Sequence, residues 1–206
     1  MFLGELKMKT KKTYKHFREQ ITEHDCVPTS FINALIYLFE REEIPAEVVR
    51  RIYEYTLDVP KSGGTTGYAI EFLANWLSSY RKDNFALRTE IWSGSDVYFK
   101  KENSFLSKKK KKTCGLLRVL WGGSCWHYIT IFYEKDGWVY CFDPYRGEKS
   151  TKNWEWLEPS NENEGCNLKV SRSFFNKKEA NGKFNTGECA GREFVLIERI
   201  SSKKAN

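Results

Sequence analysis

Residues 26–40, CVPTSFINALIYLFE, carry apolar side chains almost all the way round a helix rather than along one stripe. A helix apolar on every side must be enclosed by other parts of its own chain. Pro28 falls in its first turn, where a missing N–H leaves no bond unmade. The following sequence supplies the covering in two styles. Through residue 80 the pattern stays helical. PAEVVRRIYEYTL has proline at its start and Glu47 in the first turn. KSGGTTGYAIEFLANWLSSY is a glycine-rich turn, with Thr65 or Thr66 as N-cap, leading into an amphipathic helix that ends near Tyr80.

After Asn84 the period shifts toward two. FALRTEIW, CGLLRVLW, WHYITIFYE, GWVYCFDPY and EFVLIERI are rich in β-branched and aromatic residues and read as strands. Asp136-Gly137, between two such runs, predicts a tight hairpin. Residues 153–190 contain acidic, Asn- and Gly-rich stretches, which read as long loops with one more strand near NLKVSRSFF. Helices first and an antiparallel sheet later indicate an α+β fold. The 206 residues, 40% hydrophobic and 16% aromatic, hold enough apolar material for one domain. Its expected parts are a basic N-terminal arm (1–15), a helical half (about 16–82), a sheet half (about 84–200) and a tail (201–206).

The formal charge of +7 is concentrated in Lys7, Lys9, Lys11, Lys12 and Lys15 and in the lysine run 108–112. Such clusters can attract nucleic acid or anionic lipid. No aromatic or glycine pattern of an RNA-binding module accompanies them, so they read as a solvated arm and an exposed loop, and nucleic acid is not the expected partner. The N-terminus shows no apolar signal region, and no window reaches the roughly 18 apolar residues of a membrane span. The reading is a cytoplasmic protein without a membrane span, its six cysteines free thiols. Cys114, Cys125, His127 and Cys141 contain no CxxC pair and match no usual zinc spacing. Gly63-Gly64 and Gly122-Gly123 form no phosphate-binding loop, so no cofactor or metal is expected. Gly122-Gly123 instead lets the loop before His127 pass close to a substrate. Oligomeric state is left open.

Cys26 stands at the start of the apolar helix, where unpaired N–H groups and the positive dipole end favour a thiolate and can receive an oxyanion. Gln20, six residues earlier, can add a side-chain N–H to that oxyanion site. A thiol nucleophile needs a base, and the base an orienting partner. Of the three histidines, His16 lies in the basic arm and His24 on the approach to the helix, while His127 opens a strand. Folding the hairpin about Asp136-Gly137 brings Asp143, at the end of the second strand, back toward His127.

These four positions carry a resemblance. Gln20, then Cys26 opening a helix, then a strand-initial His127 and Asp143-Pro144 resemble the papain-like cysteine peptidases. HDCVPTSFINAL with WHYITIFYEKDGWVYCFDPY is most similar to the bacteriocin-leader-processing (double-glycine) peptidase domain and its free-standing relatives, over roughly residues 14–146. Val27 stands where that family commonly has glycine. The resemblance implies a helical half packed on an antiparallel sheet with an active-site cleft between them. It also implies a peptide or protein substrate, Cys26 as nucleophile, His127 as base, Asp143 as orienter and Gln20 as oxyanion donor. Two other readings share these residues: a catalytically inactive papain-like domain that binds a peptide or partner protein, and an acyltransferase using the same triad.

Overall fold

The computed structural model describes residues 14–59, 64–100, 112–122, 125–147, 149–179 and 182–201. The lysines before residue 14, those at 108–111, Gly63, Gly123 and the tail beyond 201 lie outside the described residues. Three helices come first: α1 (Cys26–Leu38), α2 (Ala46–Thr56) and α3 (Gly67–Ser79). Eight strands follow: β1 (Arg81–Lys82), β2 (Phe85–Ser93), β3 (Thr113–Leu120), β4 (Trp126–Lys135), β5 (Trp138–Phe142), β6 (Trp154–Trp156), β7 (Leu168–Ser171) and β8 (Glu193–Arg199). A one-turn helix, α4 (Arg172–Phe175), follows β7. The strands form one antiparallel sheet in the order β1-β2-β8-β3-β4-β5-β7-β6.

Each element has a local cause. Thr66 caps α3, its hydroxyl accepting the Ala69 N–H at 3.2 Å. The β4–β5 turn puts Asp136 at φ 54° and Gly137 at φ 81°, the left-handed pair that matches strand twist. Gly115 in β3 makes room for the Phe194 ring, which a Cβ there would meet at 2.2 Å. The described residues contain no helix long and apolar enough to cross a membrane. None of the six cysteines is joined in a disulfide.

The all-round apolar helix is explained by the first core. Phe31, Ala34, Leu35 and Leu38 of α1 lie among residues of α2, α3 and the sheet, and ten of its thirteen residues are buried. A second core fills the opposite face of the sheet, where Leu117, Ile129, Ile131 and Cys141 meet Phe174, Phe175 and Phe184. Over 153–190, β7 lies in the NLKVSRSFF run where a strand was expected, and β6 and α4 come in addition to the expected loops. That segment holds β6, β7 and α4, and its aromatic side chains cover the sheet's second face. β6 and α4, of three and four residues, carry too little periodicity to be read in advance. Tyr14 and Lys15, expected in the basic arm, belong to the folded body: Lys15 Nζ donates to the Phe39 carbonyl at 3.0 Å, and Tyr14 packs 4.7 Å from His16.

Candidate active site

α1 begins at Cys26, and its start carries no side-chain cap. The N-cap residue, Asp25, is 5% exposed and turns its carboxylate backward. Oδ2 accepts the Ile21 N–H at 3.0 Å, and Oδ1 accepts the Thr22 N–H at 2.8 Å and the Thr22 hydroxyl at 2.9 Å. Asp25 thus tightens the loop from Gln20 and leaves the first-turn N–H groups to other acceptors. Pro28 contributes none. Val27 is 2% exposed and packed in the first core, so its side chain is a core element while its N–H stays at the helix start.

His127 is 6% exposed in β4, and its Nε2 lies 2.7 Å from Asp143 Oδ1. With that nitrogen engaged, Nδ1 is the one left for another partner, and the half-buried Cys26 thiol interacts with the ring. Burial works against a charged imidazole. The Asp143 carboxylate, its hydrogen bond and Cys26 outweigh it and push the His127 pKa up to about 10. The Trp121 ring packs 4.8 Å from the imidazole. Lys183 Nζ sits over the Trp121 ring, 3.6 Å from its centre. Asp143 is fully buried: Oδ1 also accepts the Tyr145 N–H at 2.7 Å, and Oδ2 has no partner among the described residues.

The register explains how Asp143 reaches His127. Near the turn Lys135 opposes Trp138, but a bulge at Phe132 shifts the pairing so that Thr130 opposes Phe142. One residue on, Asp143 lies across from Ile129, two residues from His127 and therefore on the same face. The helix is held to this strand by two buried bonds: the Ser30 hydroxyl donates to the Tyr128 carbonyl, and the Thr130 hydroxyl to the Ser30 carbonyl, each at 3.0 Å.

The structure therefore brings Cys26, His127 and Asp143 together. Gln20 joins them through its main chain, donating its N–H to the Pro144 carbonyl at 2.9 Å. Its side chain turns into its own loop, where Nε2 donates to the Thr22 carbonyl at 2.7 Å. His24 is exposed at the rim of the pocket beside Cys26, and His16 is exposed elsewhere. That pocket, of about 210 Å³, is walled by Gly64, Thr65 and Gly67 on one side and by Arg118, Trp126 and Tyr128 on the other. The Arg118 guanidinium lies 4.2 Å from the Trp126 ring centre. No group of three or more metal-ligating side chains occurs among the described residues. Asn167, Ser30 and Trp121 escaped the sequence reading, because a single Asn before a strand, a Ser within a helix or a Trp at the end of a β run carries no pattern.

No protein-family model matches the chain, and no curated protein does. Among solved structures, it is similar to the peptidase domain of Streptococcus ComA, described as a bi-functional ABC transporter involved in a quorum-sensing pathway. The TM-score is 0.51 at 12% identity, covering 91% of this chain and all of that domain. At that identity the similarity speaks for the fold. It extends past the 14–146 region of the sequence motifs and into the C-terminal segment.

Proposed function

We propose, on the premise that the chain has the fold of a papain-like peptidase domain, that it is a thiol hydrolase cleaving a peptide or amide bond through an acyl-enzyme on Cys26. The observation that carries this is one imidazole between two partners: Asp143 on Nε2 at 2.7 Å, and Cys26 at an uncapped helix start.

A protonated His127 beside Cys26 is the charge that stabilises a thiolate. The thiolate attacks the substrate carbonyl carbon, forming a C–S bond and an oxyanion. The first-turn N–H groups of α1 and the second N–H of the Gln20 amide receive that oxyanion. The intermediate collapses, the C–N bond breaks, and imidazolium gives its proton to the leaving amine. Neutral His127 then takes a proton from water, whose oxygen attacks the thioester; the C–S bond breaks and the thiolate–imidazolium pair returns. Asp143 keeps Nε2 occupied throughout, so the ring presents Nδ1 to sulfur. The pocket beside Cys26 takes the peptide.

The test compares wild type, Cys26→Ala and His127→Ala with a peptide-substrate panel and with iodoacetamide, alkylation being mapped by peptide mass spectrometry. The exposed Cys125 is an internal reference in the same chain. Cys26 is expected to react at pH 6 at least tenfold faster than Cys125, with that advantage lost in His127→Ala and all turnover lost in Cys26→Ala. Equal reactivity of the two thiols, unchanged by His127→Ala, would sink the assignment in favour of a binding domain.

A further inference from the structure

We propose that Asn167 is a positioning residue for the orienting carboxylate: its carboxamide grips the main chain of Asp143 from both sides and so holds that carboxylate on the His127 ring. The inference rests on the functional reading above.

The β5–β7 ladder ends at the pair Cys141–Leu168. Past that point the backbone of the two strands no longer bonds directly. At Asp143 the Asn167 side chain takes over both halves of the missing pair. Its Oδ1 accepts the Asp143 N–H at 2.8 Å, and its Nδ2 donates to the Asp143 carbonyl at 2.8 Å. Asn167 is itself 2% exposed and is anchored by its own carbonyl, which accepts the Leu157 N–H at 2.8 Å. Asp143 has few other ways to be held. Pro144 follows it and brings no N–H to the turn. Among the described residues one carboxylate oxygen has no partner, and the other serves His127 and Tyr145. Without Asn167, two main-chain groups of a fully buried residue lose their partners, and the carboxylate is free to rotate away from Nε2.

Among the described residues, two other asparagines make the same two-way grip on a backbone residue. Asn33 holds Arg18 at 2.7 and 2.9 Å, and Asn176 holds Phe99 at 2.9 Å in both directions. Only the Asn167 grip falls on a residue bonded to His127, which makes Asn176 a matched control: the same pair of bonds, away from the imidazole.

The experiment follows Cys26 alkylation by iodoacetamide from pH 5 to 11 in the full chain, with thermal unfolding alongside, for wild type, Asn167→Ala, Asn167→Ser and Asn176→Ala. A structural role lowers Tm in both alanine variants and leaves the pH profile alone. A positioning role moves the alkaline step, where His127 loses its proton, down by at least one pH unit in Asn167→Ala and by less in Asn167→Ser. In Asn176→Ala that step stays at the wild-type position. If Asn167→Ala does not fold, the serine variant carries the comparison against Asn176→Ala. Folded Asn167 variants with the wild-type step overturn the inference while leaving the triad intact. A step insensitive to His127→Ala and Asp143→Asn as well overturns the functional reading and the inference together.

Discussion

The Ser30 hydroxyl donates to the Tyr128 carbonyl at 3.0 Å, one helical turn past Cys26 and one residue past His127. The Thr130 hydroxyl returns the bond to Ser30. Together they set the height of the helix start against the strand that carries the imidazole. Ser30→Ala removes a fully buried donor and strands a carbonyl, which costs about 1–3 kcal/mol in urea unfolding. Cys26 alkylation is expected to slow in the same variant. A stability loss with an unchanged alkylation rate would separate the bond from the site.

The pair His127–Asp143 predicts a pH-dependent stability. The folded His127 pKa, about 10, lies above its ordinary 6.5. A group raised on folding contributes stability that is complete below the ordinary value and lost as pH climbs through the folded one. Asp143→Asn removes the attraction, so wild type should exceed the variant most at pH 6, with the gap shrinking steadily toward pH 10. Denaturant titrations at four pH values across that window check it. A gap that widens with pH would contradict the assignment of His127 as the charged partner.

Val27 departs from the glycine common in the resembling family, and its burial gives the change a packing reason. Val27→Gly removes a core side chain and places the most flexible residue in the first turn, which costs on the order of 2–3 kcal/mol. The main-chain N–H is kept, so Cys26 alkylation at pH 6 should change less than threefold. A tenfold gain in turnover on reverting to glycine would show instead that the valine obstructs the site.

Phe132 is the extra residue of the β4 bulge, and its ring is packed rather than loose. It stacks 4.7 Å from Phe17 and lies 4.5 Å from Tyr37. Phe132→Ala is expected to cost about 3–5 kcal/mol, and Phe17→Ala less, because Phe17 is only half-buried. Thermal unfolding of the two variants tests the order. Near-neutral values for both would mean that the bulge is held by something else.

Much of this protein was legible along its chain because the signals were local. The apolar girdle of 26–40 required a central helix, Thr66 marked a helix start, and Asp136-Gly137 marked a turn whose geometry follows from two left-handed residues. A cysteine at the helix start, with one histidine and one aspartate near the ends of a hairpin, could be named before any coordinates. Within residues 153–190 the strand near NLKVSRSFF was legible as β7, while β6 and α4 were not: both are short, and they owe their shape to the sheet face they cover.

Tertiary structure alone decided whether the named residues face each other. An unbulged hairpin from Lys135–Trp138 would set Asp143 across from Thr130, with its carboxylate on the face away from His127. The single added residue at Phe132 shifts the pairing by one. Because strand side chains alternate with period two, that shift moves Asp143 onto the histidine's face. No local pattern announces it, since the bulge is held by Phe17 and Tyr37 from elsewhere in the chain. The grip of Asn167 on Asp143 is likewise set by the fold, across 24 residues of sequence. Sequence alone determined which side chains were available for the chemistry; long-range packing determined that they meet.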